Sequence, residues 1–419
     1  MREMKDSGIE WIGQIPKGWE LRRAKTLFTQ RNSKGNGIEV LLSPTQKYGV
    51  VPQSQLEGVV QVKEDTDLQM FKTVHKGDFV ISLRSFQGGF EYSLYEGVCS
   101  PAYQVFYPTS PICDTYYRYL FKSQSFISKM NNLTVGIREG KNIQYVDFAN
   151  SQIPVPPLAE QERIAVFLDA ECAEIDTVLE KTRASIEEYK KLKQAVITQA
   201  VTKGIRGDRP MKDSGIEWIG DIPAEWDVVR IKNLFDYRNE RNFKPLEEVN
   251  LISLYTDKGV VQHCDLDETT GNKASNADGY KLVYENDIVV NIILCWMGAI
   301  GRSAYFGVTS PAYDVYSPKQ KTNSKFYHYL FRTNGFSGDC YKVGRGIMAM
   351  RWRTYSDQFR AIKVVSPPQS EQEEIVEYLD EKCDGIDDLI AKKQQYLTEI
   401  ENYKKSLIYE YVTGKKEVI

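Results

Sequence analysis

The stretch PPLAEQERIAVFLDAECAEIDTVLEKTRASIEEYKKLKQAVITQAVTKG, residues 156–204, decides the fold of this chain of 419 residues. A degraded copy, PPQSEQEEIVEYLDEKCDGIDDLIAKKQQYLTEIENYKKSLIYEYVTGK, occupies residues 367–415. In both copies apolar side chains recur at alternating steps of four and three residues, the spacing of a coiled-coil seam. The seam positions are Leu168, Cys172, Ile175, Leu179, Ile186, Tyr189 and Val196 in the first copy and Leu379, Cys383, Ile386, Ile390, Leu397, Ile400 and Leu407 in the second.

Both stretches carry start and stop signals of a single long helix. A proline pair precedes each one, acidic residues fill the first turns, and Gly204 or Gly414 follows the last apolar position. About 45 residues would make a rod of roughly 65 Å. An apolar stripe of that length needs a partner, and the other copy in the same chain is the nearest one. Because the second helix must return the chain, we expect the pair to be antiparallel.

A second repeat shows that a whole unit is duplicated. The decapeptide MKDSGIEWIG occurs at residues 4–13 and again at 211–220, and both copies continue to Ile-Pro and then a tryptophan, Trp19 or Trp226. Identity at this separation indicates two structural units in tandem. We therefore predict an α+β protein with two similar mixed α/β domains, joined by an antiparallel intramolecular coiled coil in a pseudo-two-fold repeat. The expected parts are a connector (1–19), a first globular domain (20–155), a long helix (156–204), a connector (205–226), a second globular domain (227–366), a long helix (367–415) and a tail (416–419).

The globular segments are related but divergent. SPAYQVFYP at 100–108 matches SPAYDVYSP at 310–318, and KGDFV at 76–80 parallels ENDIV at 285–289, a turn before a buried strand. TYYRYLFKS at 115–123 matches KFYHYLFRT at 325–333, whose aromatic spacing predicts a core helix. Residues 39–42 and 249–254 favour strands. Scaffold positions repeat whereas many polar side chains differ, which is typical of one framework that presents two surfaces.

Composition restricts the class of protein. No run approaches the about 18 apolar residues of a membrane span, and the polar start MREMKDSG does not resemble a secretory leader. Seven cysteines without C-x-x-C spacing and three scattered histidines predict no metal site and a reducing, cytoplasmic compartment. The net charge is −3. Residues 20–155 hold 15 Lys and Arg against 12 Asp and Glu, residues 227–366 hold 19 against 15, and the two helices are acidic.

The whole chain resembles the specificity subunit of type I restriction-modification enzymes. The resemblance rests on the duplicated unit, on the I-P-x-x-W connectors, and on the helix opening P-P-L-x-E-Q-x-x-I, which Pro156 to Ile164 fit fully. The second copy has Gln369 where the pattern has leucine, a small departure. The resemblance implies two target-recognition domains that each read half of a split double-stranded DNA sequence. It implies no catalytic activity and no cofactor in this chain.

The resemblance also implies partners: two copies of a DNA-adenine methyltransferase subunit and, in the restriction form, ATP-dependent motor-nuclease subunits. S-adenosylmethionine and ATP would then bind to those partner subunits and not to this chain. No membrane is expected among the partners. A pseudo-two-fold axis suits two identical partners, and half-sites about 34 Å apart would fit one turn of DNA. The alternative is a coiled-coil interaction scaffold that does not bind DNA. An enzyme that acts alone is disfavoured, because Ser366-Pro367-Pro368-Gln369 lacks the aromatic residue of an adenine methyltransferase motif and no phosphate-binding loop is present.

Candidate DNA contacts are the side chains that read base edges in the major groove, Arg or Lys for guanine and Asn or Gln for adenine. They are Arg84, Gln87, Arg138, Lys141 and Asn142 in the first domain and Arg302, Arg345, Arg351 and Arg353 in the second, with Lys47 and Lys258 as weaker candidates in equivalent loops. Each could equally be a solvated surface charge or a phosphate contact. Trp296 and Trp352 are core residues or stacking residues.

Polar residues interrupt the seam at matching places, Thr182 with Lys393 and Lys193 with Lys404. They either lie at the margin of the seam, with the lysine stems packed on it, or specify its register. The acidic face of the second helix is either simply solvated or a docking surface for the methyltransferase.

Overall fold

The computed structural model describes residues 2–35, 40–56, 68–82, 88–133, 143–263, 276–346 and 352–418. The chain divides into two compact units. Unit 1 comprises Met1–Arg183 and Gln395–Ile419, and unit 2 comprises Ala184–Gln394. The division falls within both long helices, so each unit contains part of each helix.

Within its described residues, unit 1 contains twelve short strands, three short helices, the beginning of one long helix and the end of another. The strands are β1 Met4–Asp6, β2 Gln14–Pro16, β3 Glu20–Arg23, β4 Phe28–Arg31, β5 Leu42–Thr45, β6 Gly49–Pro52, β7 Lys72–Val74, β8 Phe79–Ile81, β9 Phe90–Tyr92, β10 Gly97–Cys99, β11 Gln104–Pro108 and β12 Gln152–Val155. The helices are α1 Asp114–Lys122, α2 Gln124–Leu133, α3 Tyr145–Asn150 and α4 Leu158–Lys203, the last of which continues into unit 2.

Unit 2 repeats this order. Its strands are β13 Met211–Asp213, β14 Asp221–Pro223, β15 Asp227–Arg230, β16 Phe235–Arg238, β17 Ile252–Tyr255, β18 Gly259–Gln262, β19 Lys281–Val283, β20 Ile288–Asn291, β21 Ile300–Arg302, β22 Gly307–Thr309, β23 Tyr313–Pro318 and β24 Lys363–Ser366. Its helices are α5 Ile231–Leu234, α6 Ser324–Phe331, α7 Asn334–Val343, α8 Ser356–Ala361 and α9 Gln369–Val412, which ends in unit 1.

Each unit is built on one four-stranded antiparallel sheet, in the order β4-β11-β8-β9 in unit 1 and β16-β23-β20-β21 in unit 2. The remaining strands form antiparallel pairs: β1-β2, β3-β12, β5-β6 and β7-β10 in unit 1, and β13-β14, β15-β24, β17-β18 and β19-β22 in unit 2. Strand n of unit 1 thus corresponds to strand n + 12 of unit 2 throughout. The sequence repeat is therefore a repeat of the fold, and the two units differ mainly in their side chains.

Aromatic side chains of one helix cover the central sheet of each unit. In unit 1 the ring of Phe28 on β4 lies 5.3 Å from that of Tyr117 and 5.6 Å from that of Phe121, both on α1. In unit 2 Phe235 on β16 lies 5.4 Å from Tyr327 on α6. All five side chains are fully buried. The prediction that these aromatic segments are core helices is confirmed, as is that of the buried strands, β8 and β20.

In unit 1 the beginning of α4 packs against the end of α9. The rings of Phe167 and Tyr411 lie 4.5 Å apart, Asp176 Oδ1 lies 2.6 Å from Lys404 Nζ, and Arg183 pairs with Glu401 at 2.6 Å. Residue numbers rise along α4 as they fall along α9, so this contact is antiparallel.

In unit 2 the end of α4 packs against the beginning of α9 in the same sense. Lys193 Nζ lies 2.5 Å from Asp387 Oδ2, and Lys393 Nζ lies over the ring of Tyr189 at 5.6 Å from its centroid. The side chains assigned to the seam are buried or half-buried in the unit to which each belongs. Two of the three lysines at seam positions, Lys193 and Lys404, each pair with an aspartate of the facing helix, and Lys393 lies over a tyrosine ring.

The predicted helix limits agree with the structure within two or three residues, and both terminating glycines have positive φ, +74° at Gly204 and +71° at Gly414. The strands expected at 39–42 and 249–254 begin later, at Leu42 and Ile252. Within the described residues, no helix combines the length and the apolar content that a membrane crossing requires.

Candidate nucleic-acid interface

The start of each long helix is fixed to its own unit by a buried carboxylate. In unit 1 Glu160 accepts hydrogen bonds from the indole N–H of Trp19 at 2.9 Å and from Arg2 at 2.8 Å. In unit 2 Glu371 accepts from Trp226 at 2.8 Å, and Arg209 pairs with it at 2.6 Å. A charge removed from water needs such partners. These clusters hold the connector tryptophans on the helices, so the recognition surface stands on a rigid base.

A glutamine beside each carboxylate ties the helix to the recognition domain. The side chain of Gln161 accepts from the Cys113 amide at 2.9 Å and donates to the carbonyl of Pro156 at 2.8 Å. Gln372 does the same with the Asn323 amide and Pro367. Each glutamine joins the helix start to the residue before α1 or to the residue before α6. These contacts explain why the Pro-Pro-x-x-Glu-Gln pattern recurs.

A cation at the end of α1 or α6 brings two loops of each unit together. In unit 2 the Arg332 guanidinium donates to the carbonyls of Thr256 and Asp257 in the β17–β18 turn and to those of Gly298 and Ile300 in the β20–β21 connection. In unit 1 Lys122 Nζ donates to the carbonyls of Gln46 and Gly88 and contacts Glu91. The same edge of each sheet therefore carries a turn and a loop side by side.

In unit 2 the end of α7 completes this edge. The ring of Tyr341 lies 5.6 Å from that of Trp296 and is stacked with Trp352 at 5.0 Å and 23°. The chain returns here as an antiparallel bridge in which Arg345 and Arg353 exchange backbone hydrogen bonds of 2.8 and 2.9 Å. We name the group formed by residues 256–258, 292–299, 341–346 and 352–353 the reading edge of unit 2. It combines cations with accessible rings, the two means by which proteins hold nucleic acid.

The reading edge includes three of the predicted contacts, Lys258, Arg345 and Arg353. Lys258 and Arg345 are exposed, and Arg353 is half-buried. Arg302 lies elsewhere, because it pairs with Ile288 at the opposite end of the β20–β21 hairpin from residues 292–299. Its Nε donates to the side chain of Asn286 at 2.8 Å. Its assignment to DNA stays a prediction without support from its neighbours.

In unit 1 only one predicted contact lies in the described part of the chain. Lys47 is exposed in the β5–β6 turn, the position that Lys258 holds in unit 2, and its ammonium lies over the ring of Tyr48 at 4.9 Å. Hydrogen bonding to that phenol raises the pKa of Lys47. The other candidates fall outside the described residues: Arg84, Gln87, Arg138, Lys141 and Asn142, together with Arg351 of unit 2.

The two tryptophans are partly buried. Trp352 donates its indole N–H to the carbonyl of Tyr341 at 3.1 Å, and the indole N–H of Trp296 is buried without a partner within the part of the chain that the structure describes. Both rings support Tyr341, whose own side chain is 48 % exposed. Both side chains therefore support the edge, and Tyr341 is its accessible ring.

Burial sets two unusual pKa values near these edges. His328 on α6 is half-buried, and desolvation together with the charges of nearby Arg332 and Arg302 lowers its pKa to about 3. The imidazole is therefore neutral, and its Nδ1 accepts a hydrogen bond from the Arg302 amide at 3.1 Å. In unit 1 burial raises the pKa of Glu91 to about 7, although the ammonium of Lys122 opposes this shift.

Sequence reasoning missed Lys122, Arg332 and Tyr341. Lys122 and Arg332 occupy matching positions in the aligned helices YYRYLFKS and FYHYLFRT, so retention of a cation at the end of an aromatic helix was an available signal. Nothing in the sequence pointed to Tyr341, because a tyrosine near the end of a helix is usually a core residue.

Comparison with known proteins identifies the family. The family model of the type I restriction modification DNA specificity domain matches residues 16–188 and again 223–401, most of the chain. The chain therefore belongs to this family, and it carries the domain twice. It is the specificity subunit of a type I restriction-modification system, the component that recognises DNA.

Individual relatives agree with this assignment. The chain is 25 % identical over 442 residues to the provisionally named MjaX type I restriction enzyme specificity subunit of Methanocaldococcus jannaschii, covering 97 % of this chain and 96 % of the relative. It is 27 % identical over 300 residues to the MjaVIII specificity subunit of the same organism, covering 67 % and 66 %.

Two solved structures share the fold. One is a chain from a study of complex assembly and conformational transition of the type I R-M system, with a TM-score of 0.71 at 14 % identity, over 96 % of this chain and 99 % of that one. The other is the HsdS subunit from Thermoanaerobacter tengcongensis, with a TM-score of 0.53 at 14 % identity, over 98 % and 100 %.

Proposed function

We propose that the two units read the two halves of a bipartite, asymmetric DNA target, one half each. The observation that carries this proposal is the strand-by-strand repeat of the sheet order, combined with different side chains at equivalent loop positions. A repeated frame supports two contacts with a double helix that has local two-fold symmetry. Different reading residues make the two half-sites unlike. The recognition domains are then residues 20–155 and 227–366, between connectors 1–19 and 205–226.

The two long helices, 156–204 and 367–415, act in this proposal as an antiparallel coiled-coil spacer. Within each unit, the reciprocal pairs Lys193 with Asp387 and Lys404 with Asp176 support one register of the two helices. A lysine on a seam costs stability but disfavours any register in which it lacks its carboxylate. Helix length and register, rather than a side chain that touches DNA, then set the number of unread base pairs.

The chain itself performs no chemistry in this proposal. It docks two DNA-adenine methyltransferase subunits and, in the restriction form, ATP-dependent motor-nuclease subunits. Among the described residues there is no group of three or more His, Cys, Asp and Glu side chains that could hold a metal ion. The duplicated connectors offer equivalent surfaces to two identical partners. The membership of the family supports DNA and these subunits as partners.

Modification sequencing tests the proposal. Cells that carry this gene and its methyltransferase gene should show N6-methyladenine in both halves of one asymmetric, interrupted motif, and cells without this gene should not. Replacing residues 20–155 by the equivalent domain of a relative should change one half of the motif only. Insertion of seven residues into both helices should lengthen the gap. Methylation without a two-part motif, or a domain exchange that changes both halves, would contradict the proposal.

A further inference from the structure

The β20–β21 loop of unit 2 exposes apolar side chains beside the arginines of the reading edge. Leu294, which is 37 % exposed, precedes the short 3-10 helix Cys295–Met297, and Met297, which is 53 % exposed, ends it. This helix packs on α7, which presents the half-exposed ring of Tyr341. We call Leu294, Met297 and Tyr341 the apolar tip. A surface that only reads polar base edges has no need of these three side chains.

The loop that carries the tip is braced by its own hydrogen bonds. The buried side chain of Asn291 accepts from the amides of Ile293 at 3.0 Å and Leu294 at 3.3 Å. The amide of Ala299 donates to the carbonyl of Leu294 at 3.1 Å, and Gly298 closes the turn at a φ of +88°. A braced loop loses little conformational entropy when it binds. The tip is therefore presented in a fixed conformation.

Aromatic rings support the tip from behind. Trp352 is stacked on Tyr341, and this close stack requires a glycine at 344, because a Cβ there would lie 2.3 Å from the Trp352 indole nitrogen. The ring of Trp296 also contacts Tyr341, at 5.6 Å between centroids. The support resists sideways displacement of the tip when a stacked ligand presses against it.

Cations surround the tip. Arg345 and Arg353 lie where the chain leaves and rejoins α7, and Lys258 lies on the turn that Arg332 holds against Gly298. Positive side chains around an apolar centre complement nucleic acid, in which phosphates flank stacked bases. A hydrophobic protein partner would be served better by an uncharged rim.

We propose that the apolar tip of unit 2 presses between two stacked bases of its half-site, so that this unit reads DNA partly by how easily a base step opens. Leucine and methionine are among the side chains that proteins use as such wedges. Pyrimidine–purine steps open most readily and would be preferred at that position. The inference rests on the proposed function. It is confined to unit 2, because the corresponding stretch of unit 1, residues 83–87, lies outside the described residues.

Fluorescence of 2-aminopurine tests the wedge. The full complex with its methyltransferase is bound to duplexes in which 2-aminopurine replaces one base at a time across the unit 2 half-site. We expect a rise in fluorescence at one step that excludes the methylated adenine, since the enzyme itself displaces that base. The double variant Leu294→Ser, Met297→Ser should remove the rise and weaken binding by about tenfold. The matched control is Phe306→Ser, which changes an exposed apolar residue of unit 2 outside the reading edge.

A second arm leaves the protein unchanged. Replacing the opened step by a stiff A-tract step should weaken binding of the native complex by about tenfold and that of the double variant hardly at all. Unchanged fluorescence and unchanged step preference in a variant that still binds its bipartite site would overturn the wedge and leave the proposed function intact. A photocrosslinker at residue 297 that reacts with the methyltransferase instead of DNA would also overturn it. Failure of the native complex to bind any bipartite site would overturn the proposed function itself.

Discussion

Several equivalent core positions of the two units carry different apolar side chains, whereas the buried carboxylates at the starts of the two long helices have the same partners. The central sheet of unit 1 carries buried phenylalanines, Phe79 on β8 and Phe90 on β9. Unit 2 has Ile288 and Ile300 at the equivalent positions. A core tolerates such exchanges if its volume is filled by other changes. The frame therefore depends on the pattern of burial rather than on a particular apolar residue.

The Arg-Glu-Trp clusters show the opposite behaviour. Arg2, Glu160 and Trp19 of unit 1 are repeated residue for residue in unit 2. Replacing one member of a buried ion pair lowers the free energy of unfolding, because the other member then lacks its buried counter-charge. Identity between the two halves of the chain is thus expected at these clusters, and divergence where apolar packing sets the residue.

The largest expected effect comes from breaking one of these clusters. Glu371→Ala removes the acceptor of the Trp226 indole and the buried counter-charge of Arg209, which keeps the more exposed Glu225 and the carbonyl of Lys203. It should destabilise unit 2 by about 3 kcal/mol. Glu160→Ala should cost less in unit 1, because the Glu160 side chain is 11 % exposed and that of Glu371 is 1 % exposed. Hydrogen exchange followed by mass spectrometry over each connector measures the two units separately in the full chain.

The control for this comparison is Glu374→Ala. Glu374 pairs with Arg206 on the surface of the same helix turn, where both side chains are about half exposed. Its loss should change stability by less than about 0.5 kcal/mol. Equal destabilisation by Glu374→Ala and Glu371→Ala would show that helix-terminal charge, and not the buried cluster, holds the connector.

The loop clamps give the next largest effect. In Arg332→Lys the single ammonium group cannot donate to all four carbonyls that the guanidinium holds. The change should lower local stability by about 2 kcal/mol and speed hydrogen exchange in residues 256–258. The reciprocal change, Lys122→Arg in unit 1, adds bulk beside Glu91 and should leave exchange in residues 46–48 within about twofold. Equal effects of both changes would mean that any cation suffices at this position.

Acid should weaken unit 2 through His328. The unfolded histidine has a pKa near 6.5 and the folded one about 3. Between these values the unfolded state binds the extra proton, so the stability is present above pH 6.5 and falls as the pH is lowered towards 3. At pH 5 the loss should be about 2 kcal/mol. Unfolding of the native chain compared with His328→Asn between pH 4.5 and 7.5 measures it, and the exposed His75→Gln is the matched control.

Unit 1 should respond to pH in the opposite direction. Its residue at the position of His328 is Arg118, and the pKa of Glu91 is raised to about 7. Between about 4.5 and 7 the folded state keeps a proton that the unfolded state releases. This contribution to stability is therefore full below pH 4.5 and is lost as the pH rises through 7. Glu91→Gln should flatten the profile of unit 1 and leave that of unit 2 unchanged.

The repeat and the helices could be predicted because they depend on periodicity alone. A seam that recurs in steps of four and three specifies a helix whatever its tertiary context, and Gly204 and Gly414 end both helices at the predicted places. The strand order could not be predicted, since it depends on pairings such as that of β4 with β11, some 75 residues apart.

The reading edge was only partly predictable for a related reason. The sequence offers Arg302 as a candidate contact on the same grounds as Arg345 and Arg353. Only the geometry of the β20–β21 hairpin shows that Arg302 lies away from the other two. Arg332 looked like one more surface charge, yet it is largely enclosed by the carbonyls that it holds. The sequence supplies the chemistry of a side chain, and the fold decides whether it faces solvent or the protein itself.

The smallest effect concerns the turn before the central strand, where unit 1 has Gly77 and unit 2 has Asn286, both at positive φ. Glycine adopts this conformation without strain, and asparagine does so at a cost of up to about 1 kcal/mol. Asn286 recovers part of this cost through its hydrogen bond to Arg302 at 2.8 Å. Asn286→Gly should therefore change stability by less than about 0.5 kcal/mol, whereas Asn286→Ala, which keeps the strain and loses the bond, should cost about 1–2 kcal/mol. The contrary result would be that Asn286→Gly weakens DNA binding at the unit 2 half-site by more than about fivefold with stability unchanged. That result would mean that Asn286 positions Arg302 for DNA, and Arg302 would again be a DNA contact although it lies away from the reading edge.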